Sequence, residues 1–144
     1  MSAPLNLSVV VPLYNEEESL PHLVEQLLSA LRPTDEAFEL VLVDDGSSDR
    51  TANVLAKLSA EVPEVVAVLL RKNYGKTAAM AAGFDVAGGE GIVSLDGELQ
   101  NDPADIPMLL AKLREGYDLV SGWRHQRQDA ALPVSYTHLR AHET

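Results

Sequence analysis

Four short apolar runs, rich in β-branched residues, occur in the first two thirds of the chain. They span residues 7–13, 38–43, 65–70 and 92–95. Runs with little polar alternation are typical of strands buried on both faces, as in a parallel sheet that helices cover. A weaker run follows at residues 118–121. The pattern predicts four buried parallel strands and a weaker fifth strand.

Between these runs, the apolar spacing changes to that of helices. Residues 20–31 place their apolar side chains at helical intervals on one face, and residues 51–58 repeat the pattern, with Ser48 or Asp49 as the expected N-cap. Residues 77–87 are alanine-rich and are followed by two glycines, which favour a helix end. Asp102 followed by proline is typical of the start of a fourth helix. Strands that alternate with helices predict an α/β fold, with a mostly parallel, doubly wound sheet and helices on both faces.

Composition narrows the possible functions. The length of 144 residues favours a single domain, and 22 acidic against 11 basic side chains give a net charge of −11. This charge disfavours a non-specific nucleic-acid binder, so we expect no nucleic-acid partner. The chain has no cysteine, which excludes disulfides and thiolate sites and fits a reducing compartment. No signal peptide or membrane span is predicted, and we expect a cytoplasmic location.

Each of the four predicted strands is followed by a cluster of polar residues. The clusters span residues 14–18, 44–49, 71–76 and 96–102. Ligands of open α/β sheets bind outside the carboxyl ends of the strands, so these clusters are the candidate site. Residues 47–49 are interpreted as a turn and a helix cap. A P-loop is excluded because Leu70 occupies the position of its first glycine, and the glycine motif of dinucleotide-binding folds is also absent.

The fourth cluster carries the strongest chemical signal. Asp96 and Glu98 flank a glycine, and this spacing lets two carboxylates face one hard cation. Mg²⁺ and Mn²⁺ prefer oxygen ligands and commonly bind one or two carboxylates together with substrate phosphates. Gln100 could add an amide oxygen. We therefore predict a Mg²⁺ or Mn²⁺ site made by Asp96, Glu98 and Gln100.

Five motifs, in order along the chain, resemble those of family 2 glycosyltransferases with the GT-A fold. They are residues 10–17 (VVPLYNEE), 43–51 (VDDGSSDRT), 71–76 (RKNYGK), 95–103 (LDGELQNDP) and 122–124 (GWR). The last three are similar to the branch that transfers sugars to polyprenyl phosphates, which includes dolichyl-phosphate mannose synthase. The resemblance covers residues 7–129 and implies a GT-A-type, Rossmann-like sandwich.

The resemblance also implies roles for individual residues. Those expected to bind the substrate are Pro12, Tyr14, Asn15, Glu16, Asp44, Asp45, Arg71, Lys76 and Arg127. Within this set, the first four shape the nucleoside pocket, Asp44 contacts the base or the ribose, and Lys76 and the region of Arg71 border the nucleotide. The residues expected to be catalytic are Asp96, Glu98 and Arg124. Arg124 and Arg127 are expected to face phosphates of the donor and the acceptor. The family usually has aspartate at the position of Glu98, which puts the affinity or preference for the metal in question.

The reaction implied is an inverting transfer of a sugar from a UDP- or GDP-linked donor to a polyprenyl phosphate, in the building of cell-envelope polysaccharide. Two alternatives stay open: a family 2 transferase acting on a saccharide hydroxyl, and an inactive nucleotide-binding fragment. The resemblance places membrane contact in a C-terminal region that this chain lacks, so the full-length protein is expected at the cytoplasmic face of the membrane. A homo-oligomer is left open.

Residues 134–144 (VSYTHLRAHET) do not fit the motifs and resemble a translated sequencing adapter. We therefore expect residues 1–133 to be a partial nucleotide-sugar-binding domain, truncated at its C-terminus, and residues 134–144 to be a non-native tail. The acceptor-binding elements of the family follow Arg124. This order predicts a chain with a nearly complete donor site and low transferase activity.

Overall fold

The computed structural model describes residues 7–34 and 37–95, together with the backbone of residues 136–140. Strands and helices alternate along most of this length. In chain order the elements are β1 (Leu7–Leu13), α1 (Leu20–Leu31), a 3₁₀ turn (Arg32–Thr34), β2 (Phe38–Asp44), α2 (Thr51–Glu61), β3 (Val65–Leu70), α3 (Lys76–Val86), β4 (Gly91–Ser94) and β5 (Tyr136–Arg140).

The predicted strands and helices are confirmed within these residues, with small shifts at their ends. β1, β3 and α1 have the predicted bounds, β2 is one residue longer, and β4 begins and ends one residue earlier. The predicted N-cap of α2 was wrong, because Arg50 occupies that position. Asp49 nevertheless accepts a hydrogen bond from the backbone N–H of Thr51 at 2.9 Å. The helix predicted after Asp102 and the strand predicted at residues 118–121 lie outside the described residues.

The strands form one sheet in the order β4-β1-β2-β3-β5. The first four are parallel, whereas β5 runs antiparallel to β3, with Leu70 opposite Tyr136 and Val66 opposite Arg140. β5 is formed by residues that we expect to be non-native, and that expectation stays a prediction. Since β2 and β4 flank β1, the chain reverses its direction of winding at β1, which is where open α/β sheets bind ligands.

Helices cover both faces of the sheet, as the apolar runs predict. Leu7, Val9 and Val11 of β1 are fully buried in a cluster with the apolar faces of α1 and α2. Val10, which alternates with them, is buried on the opposite face with Ala79 and other residues of α3. Strand residues that alternate between two apolar layers explain why the runs lack polar positions. No helix in the described part of the chain has the length and hydropathy of a membrane span.

A buried polar network lies at the edge of the sheet where the parallel strands begin. The hydroxyl of Ser8 donates to Oε2 of Glu39 at 2.6 Å, and both side chains are almost inaccessible. Backbone N–H groups of the turn before β4 complete the network, since Gly88 donates to Glu39 at 2.7 Å and Gly89 donates to Ser8 at 2.8 Å. Sequence patterning missed this network, because Glu39 lies within an apolar run.

The packing of α3 on the sheet predicts an effect of Gly83→Ala. A Cβ atom at Gly83 would lie 2.4 Å from Cγ1 of Val10 and 3.1 Å from Cγ2 of Val43. Alanine is favoured over glycine within helices by about 1 kcal/mol, but overpacking a core costs about 1–3 kcal/mol. We expect the free energy of unfolding, measured with urea, to fall by about 1 kcal/mol.

Val10→Ala provides the matched test of this contact. In a double-mutant cycle, the loss caused by Gly83→Ala should shrink or change sign when Val10 is also alanine, because the clashing methyl is gone. A Gly83→Ala protein more stable than the wild type would show that α3 can move away from β1 at little cost.

Candidate functional site

Three loops meet at the carboxyl edge of the sheet, each following one strand. The first loop (residues 14–19) follows β1, the second loop (residues 45–50) follows β2, and the third loop (residues 71–75) follows β3. Hydrogen bonds join the second loop to both of the others, as the following contacts show. The predicted convergence of these three polar clusters is therefore confirmed.

Asn15 connects the first loop to the second. Its side-chain oxygen accepts hydrogen bonds from the backbone N–H groups of Ser48 at 2.9 Å and Asp49 at 3.3 Å. Its own N–H donates to the hydroxyl of Ser47 at 2.8 Å. The backbone of Asn15 is left-handed, with φ of 53°, a conformation that asparagine tolerates better than most residues. Asn15 therefore has a structural role, in addition to the predicted role at the nucleoside pocket.

Asp44, the last residue of β2, is a buried carboxylate at this edge. Its side chain is 2% exposed, and Oδ1 accepts hydrogen bonds from the hydroxyl and the backbone N–H of Ser47. Burial raises the pKa of Asp44 above its ordinary value, although the hydrogen bonds from Ser47 act in the opposite direction. Ionising the Asp44 carboxyl group therefore costs free energy. Shifted pKa values of this kind are common among residues that bind a ligand.

Asp45 connects the second loop to the third. Its Oδ1 accepts the N–H of Tyr74 at 2.9 Å, and its Oδ2 accepts the N–H of Gly75 at 3.1 Å. The side-chain amide of Asn73 donates to Oδ2 at 3.2 Å and to the backbone carbonyl of Asp45 at 3.0 Å. Both carboxylate oxygens are thus bonded to the third loop, and the side chain is only 5% exposed.

Gly46 lets the second and third loops approach closely. Its φ is +65°, and a Cβ there would lie 2.1 Å from the carbonyl carbon of Lys72 and 2.4 Å from the nitrogen of Asn73. Only a residue without a side chain fits against this backbone. The sequence predicts Gly46 only as a turn residue. It does not reveal that the backbone of Lys72 and Asn73 lies against this glycine.

The other predicted donor-binding residues lie at the same edge. Tyr14 is 49% exposed, and the half-buried Glu16 accepts a hydrogen bond from the hydroxyl of Ser19 at 3.1 Å. Pro12 is buried within β1, whereas Arg71 and Lys76 are exposed, at the start of the third loop and of α3. The structure thus places all of them on or beside the three loops. Their contacts with a ligand stay predictions.

The predicted metal ligands and phosphate-facing arginines are not among the described residues. These are Asp96, Glu98, Gln100, Arg124 and Arg127. The chain leaves β4 beside β1, where the N–H of Leu95 donates to the carbonyl of Val10 at 2.9 Å. Within the part of the chain that the structure describes, no three potential metal-ligating side chains cluster together. The metal site therefore stays a prediction from the sequence.

Comparison with known sequences identifies a family. The sequence model described as glycosyl transferase family 2 matches residues 8–141. A protein from Pectobacterium carotovorum named undecaprenyl-phosphate 4-deoxy-4-formamido-L-arabinose transferase is 49% identical over 87% of this chain and 38% of its own length. A protein of the same name from Salmonella choleraesuis is 45% identical over 93% of the chain and 42% of its own length. The chain thus spans about two fifths of the curated relatives that it matches.

Solved structures with the same fold include sugar-donor complexes. TarS residues 1–349 from S. aureus, in complex with UDP-GlcNAc, is 27% identical, with a TM-score of 0.62 over 77% of this chain and 32% of that one. The mannosyltransferase PcManGT from Pyrobaculum calidifontis, in complex with GDP-Man and Mn²⁺, is also 27% identical. Its TM-score is 0.57, over 65% of this chain and 29% of that one. These likenesses confirm the predicted GT-A-type fold.

Proposed function

The chain belongs to glycosyltransferase family 2, and on this premise we propose that its three loops bind the nucleoside diphosphate of a sugar donor. The main support for the proposal is the burial of the Asp44 carboxylate at the carboxyl edge of the sheet. Asp44 ends β2, which lies beside β1, the strand at which the winding of the sheet reverses. Burial raises the pKa of Asp44, so this placement opposes ionisation, and a ligand contact would account for a carboxylate that is retained there.

Residues of the three loops suit the parts of such a donor. Asp44 can accept hydrogen bonds from ribose hydroxyls or from a base N–H, because a carboxylate offers only acceptors when ionised. The exposed ring of Tyr14 lies at the same edge and can cover a nucleobase. Arg71 on the third loop and Lys76 at the start of α3 both carry positive charge, which suits binding of the diphosphate.

A divalent cation, Mg²⁺ or Mn²⁺, is part of the proposal. Asp96, Glu98 and Gln100 would hold it, since they follow β4 directly in the sequence and offer oxygen atoms. When bound, such an ion neutralises the charge that develops on a leaving diphosphate. The presence of Mn²⁺ in the described complex of PcManGT supports this assignment.

For the acceptor, we propose a polyprenyl phosphate, reached by the whole protein at the cytoplasmic face of a membrane. The names of the relatives from Pectobacterium and Salmonella support a lipid-phosphate acceptor. A phosphate monoester is already ionised at neutral pH, so attack on the sugar needs no general base, and direct displacement inverts the anomeric carbon. Arg124 and Arg127 would pair with the phosphate groups.

Calorimetry with UDP and GDP tests the donor site. We expect binding to be at least about tenfold tighter with Mn²⁺ than without it, because the ion offsets repulsion between the diphosphate and the carboxylates. Asp96→Asn should remove most of this dependence on Mn²⁺ and leave thermal unfolding unchanged. Glu61→Gln, an exposed change at the end of α2, is the control and should bind as the wild type does. Equal affinity with and without Mn²⁺ would contradict the metal assignment.

Transfer is tested in a chimera in which the part of this chain that aligns with the Pectobacterium relative replaces the matching segment of that relative. The chimera should move labelled sugar from a UDP- or GDP-linked donor to undecaprenyl phosphate, extracted into an organic phase. Label that appears only on an added saccharide would contradict the lipid acceptor.

A further inference from the structure

We propose that the outer edge of β3 is a binding surface for a second copy of this chain, and that β5 occupies this edge in place of that copy. The proposal goes beyond the proposed function and does not depend on it. Among the described strands, β5 alone runs antiparallel, and it pairs with β3 over residues 66–70. Without β5, β3 is the last of the described strands on its side of the sheet.

The backbone groups of β3 point alternately to its two neighbours. The carbonyl of Glu64, just before the strand, accepts the N–H of Leu40 on β2 at 2.8 Å. Because backbone polar groups of successive strand residues point to opposite sides, those of Ala67 and Leu69 point away from β2 and toward β5. A second copy that takes the place of β5 must therefore pair with these outward-facing groups.

β3 has none of the sequence features by which edge strands avoid pairing with other chains. Its sequence, VVAVLL, contains no charged residue, proline or glycine. An unprotected edge of this kind is a template for a further strand. The strand that pairs with β3 here lies in the predicted non-native tail, residues 134–144. On that prediction, the edge accepts a strand through its backbone, without a sequence selected to fit it.

The charges at the two ends of β3 favour a second copy as the partner. The strand follows an acidic residue, Glu64, and precedes two basic residues, Arg71 and Lys72. When two copies of β3 pair antiparallel, the acidic end of each lies beside the basic end of the other. Parallel pairing would instead place like charges side by side, which is unfavourable. The strand is therefore complementary to itself in the antiparallel orientation.

One register satisfies both the backbone groups and the charges. In it, Ala67 of each copy lies opposite Leu69 of the other, so that their outward-facing groups exchange hydrogen bonds, and Val68 lies on the two-fold axis. Glu64 then lies opposite Lys72 of the second copy and beside its Arg71. A two-fold contact of this kind is closed, so it joins two copies and does not continue into a fibre.

Sedimentation velocity over a range of concentrations tests the proposal in the full chain. The release variant combines Thr137→Pro with Leu139→Pro, which removes the two backbone N–H groups of β5 that face Leu69 and Ala67. We expect its average mass to rise twofold with concentration, whereas the wild type stays at one chain. Thr137→Val with Leu139→Val keeps both N–H groups and should also stay at one chain. Leu139→Pro alone covers the case in which the release variant does not fold.

A charge exchange within the release variant identifies the surface. Glu64→Arg and Arg71→Glu should each abolish most of the rise in mass, because like charges then meet at both ends of the paired strands. An equal mixture of the two proteins should associate again, since every basic end meets an acidic end in the mixed pair. Glu64→Arg also breaks the ion pair with Arg32. Arg32→Ala breaks the same ion pair and is the control, which should leave association unchanged.

Several results would overturn the proposal, once circular dichroism has verified folding. A folded release variant that stays at one chain at every concentration would show that the edge does not bind a second copy. Association that the wild type shares, that the charge variants leave intact or that the mixture fails to restore would place the contact elsewhere. Growth beyond two chains would exclude the closed two-fold pair. Loss of folding in both proline variants would show that β5 is an integral strand and not a replaceable occupant.

Discussion

Replacing Gly46 with alanine is expected to lower the free energy of unfolding by about 3–4 kcal/mol, which is large for the addition of one methyl group. The left-handed backbone of Gly46, with φ of +65°, accounts for about 1–2 kcal/mol of this loss. The remainder arises because the new Cβ would lie 2.1 Å from the carbonyl carbon of Lys72. A backbone atom cannot rotate away as a side chain can, so the second and third loops must separate.

Urea unfolding measures this loss, and Gly75→Ala is the control. Gly75 also has positive φ, at 105°, but nothing lies within 4 Å of the position that its Cβ would take. This variant should show the cost of backbone strain, about 1–3 kcal/mol, without the steric clash. If Gly46→Ala costs no more than the roughly 1–2 kcal/mol of its own backbone strain, the close approach at Gly46 contributes nothing to stability. Weakened nucleotide binding by Gly46→Ala at low temperature would further support the role of the contact between the loops.

Asp44→Asn is expected to weaken nucleotide binding by about 1–3 kcal/mol and to raise the free energy of unfolding at pH 7. Affinity falls because the amide replaces one acceptor oxygen with a donor and removes the charge. Stability rises because the cost of burying an ionised carboxylate disappears, while the amide oxygen can still accept hydrogen bonds from Ser47. Calorimetry and urea unfolding on the same samples measure the two changes.

The dependence of stability on pH provides an independent check on Asp44. Its pKa is raised in the folded state, mainly by burial, so its stabilising contribution is full below the unfolded pKa of about 3.9. That contribution is lost as the pH rises through the raised folded pKa. The difference in stability between the wild type and Asp44→Asn should therefore grow from acidic toward neutral pH. A lower melting temperature with unchanged affinity would instead indicate that Asp44 only stabilises the turn.

Local patterns in the sequence predict most of the fold because they record local requirements. The apolar run of β1 has no polar alternation since its successive residues face two different helix layers, and the spacing in α1 follows its single buried face. The N-cap of α2 was misplaced because Ser48, Asp49 and Arg50 are all polar, and only the backbone angles distinguish them. Glu39 escaped notice because its partners, Ser8 and Gly88, are distant in the sequence.

The sequence by itself determined the alternation of strands and helices, the family motifs and the edge of the sheet where the polar clusters meet. These follow from hydrophobic periodicity and from the rule that parallel strands end at one edge. Only the tertiary structure distinguished Asp44 from Asp45. The two carboxylates are adjacent and chemically identical, but one is held within its own turn by Ser47, and the other is bonded to Tyr74 and Gly75. The contacts of Asp45 join residues about thirty positions apart in the sequence, and no local pattern contains them.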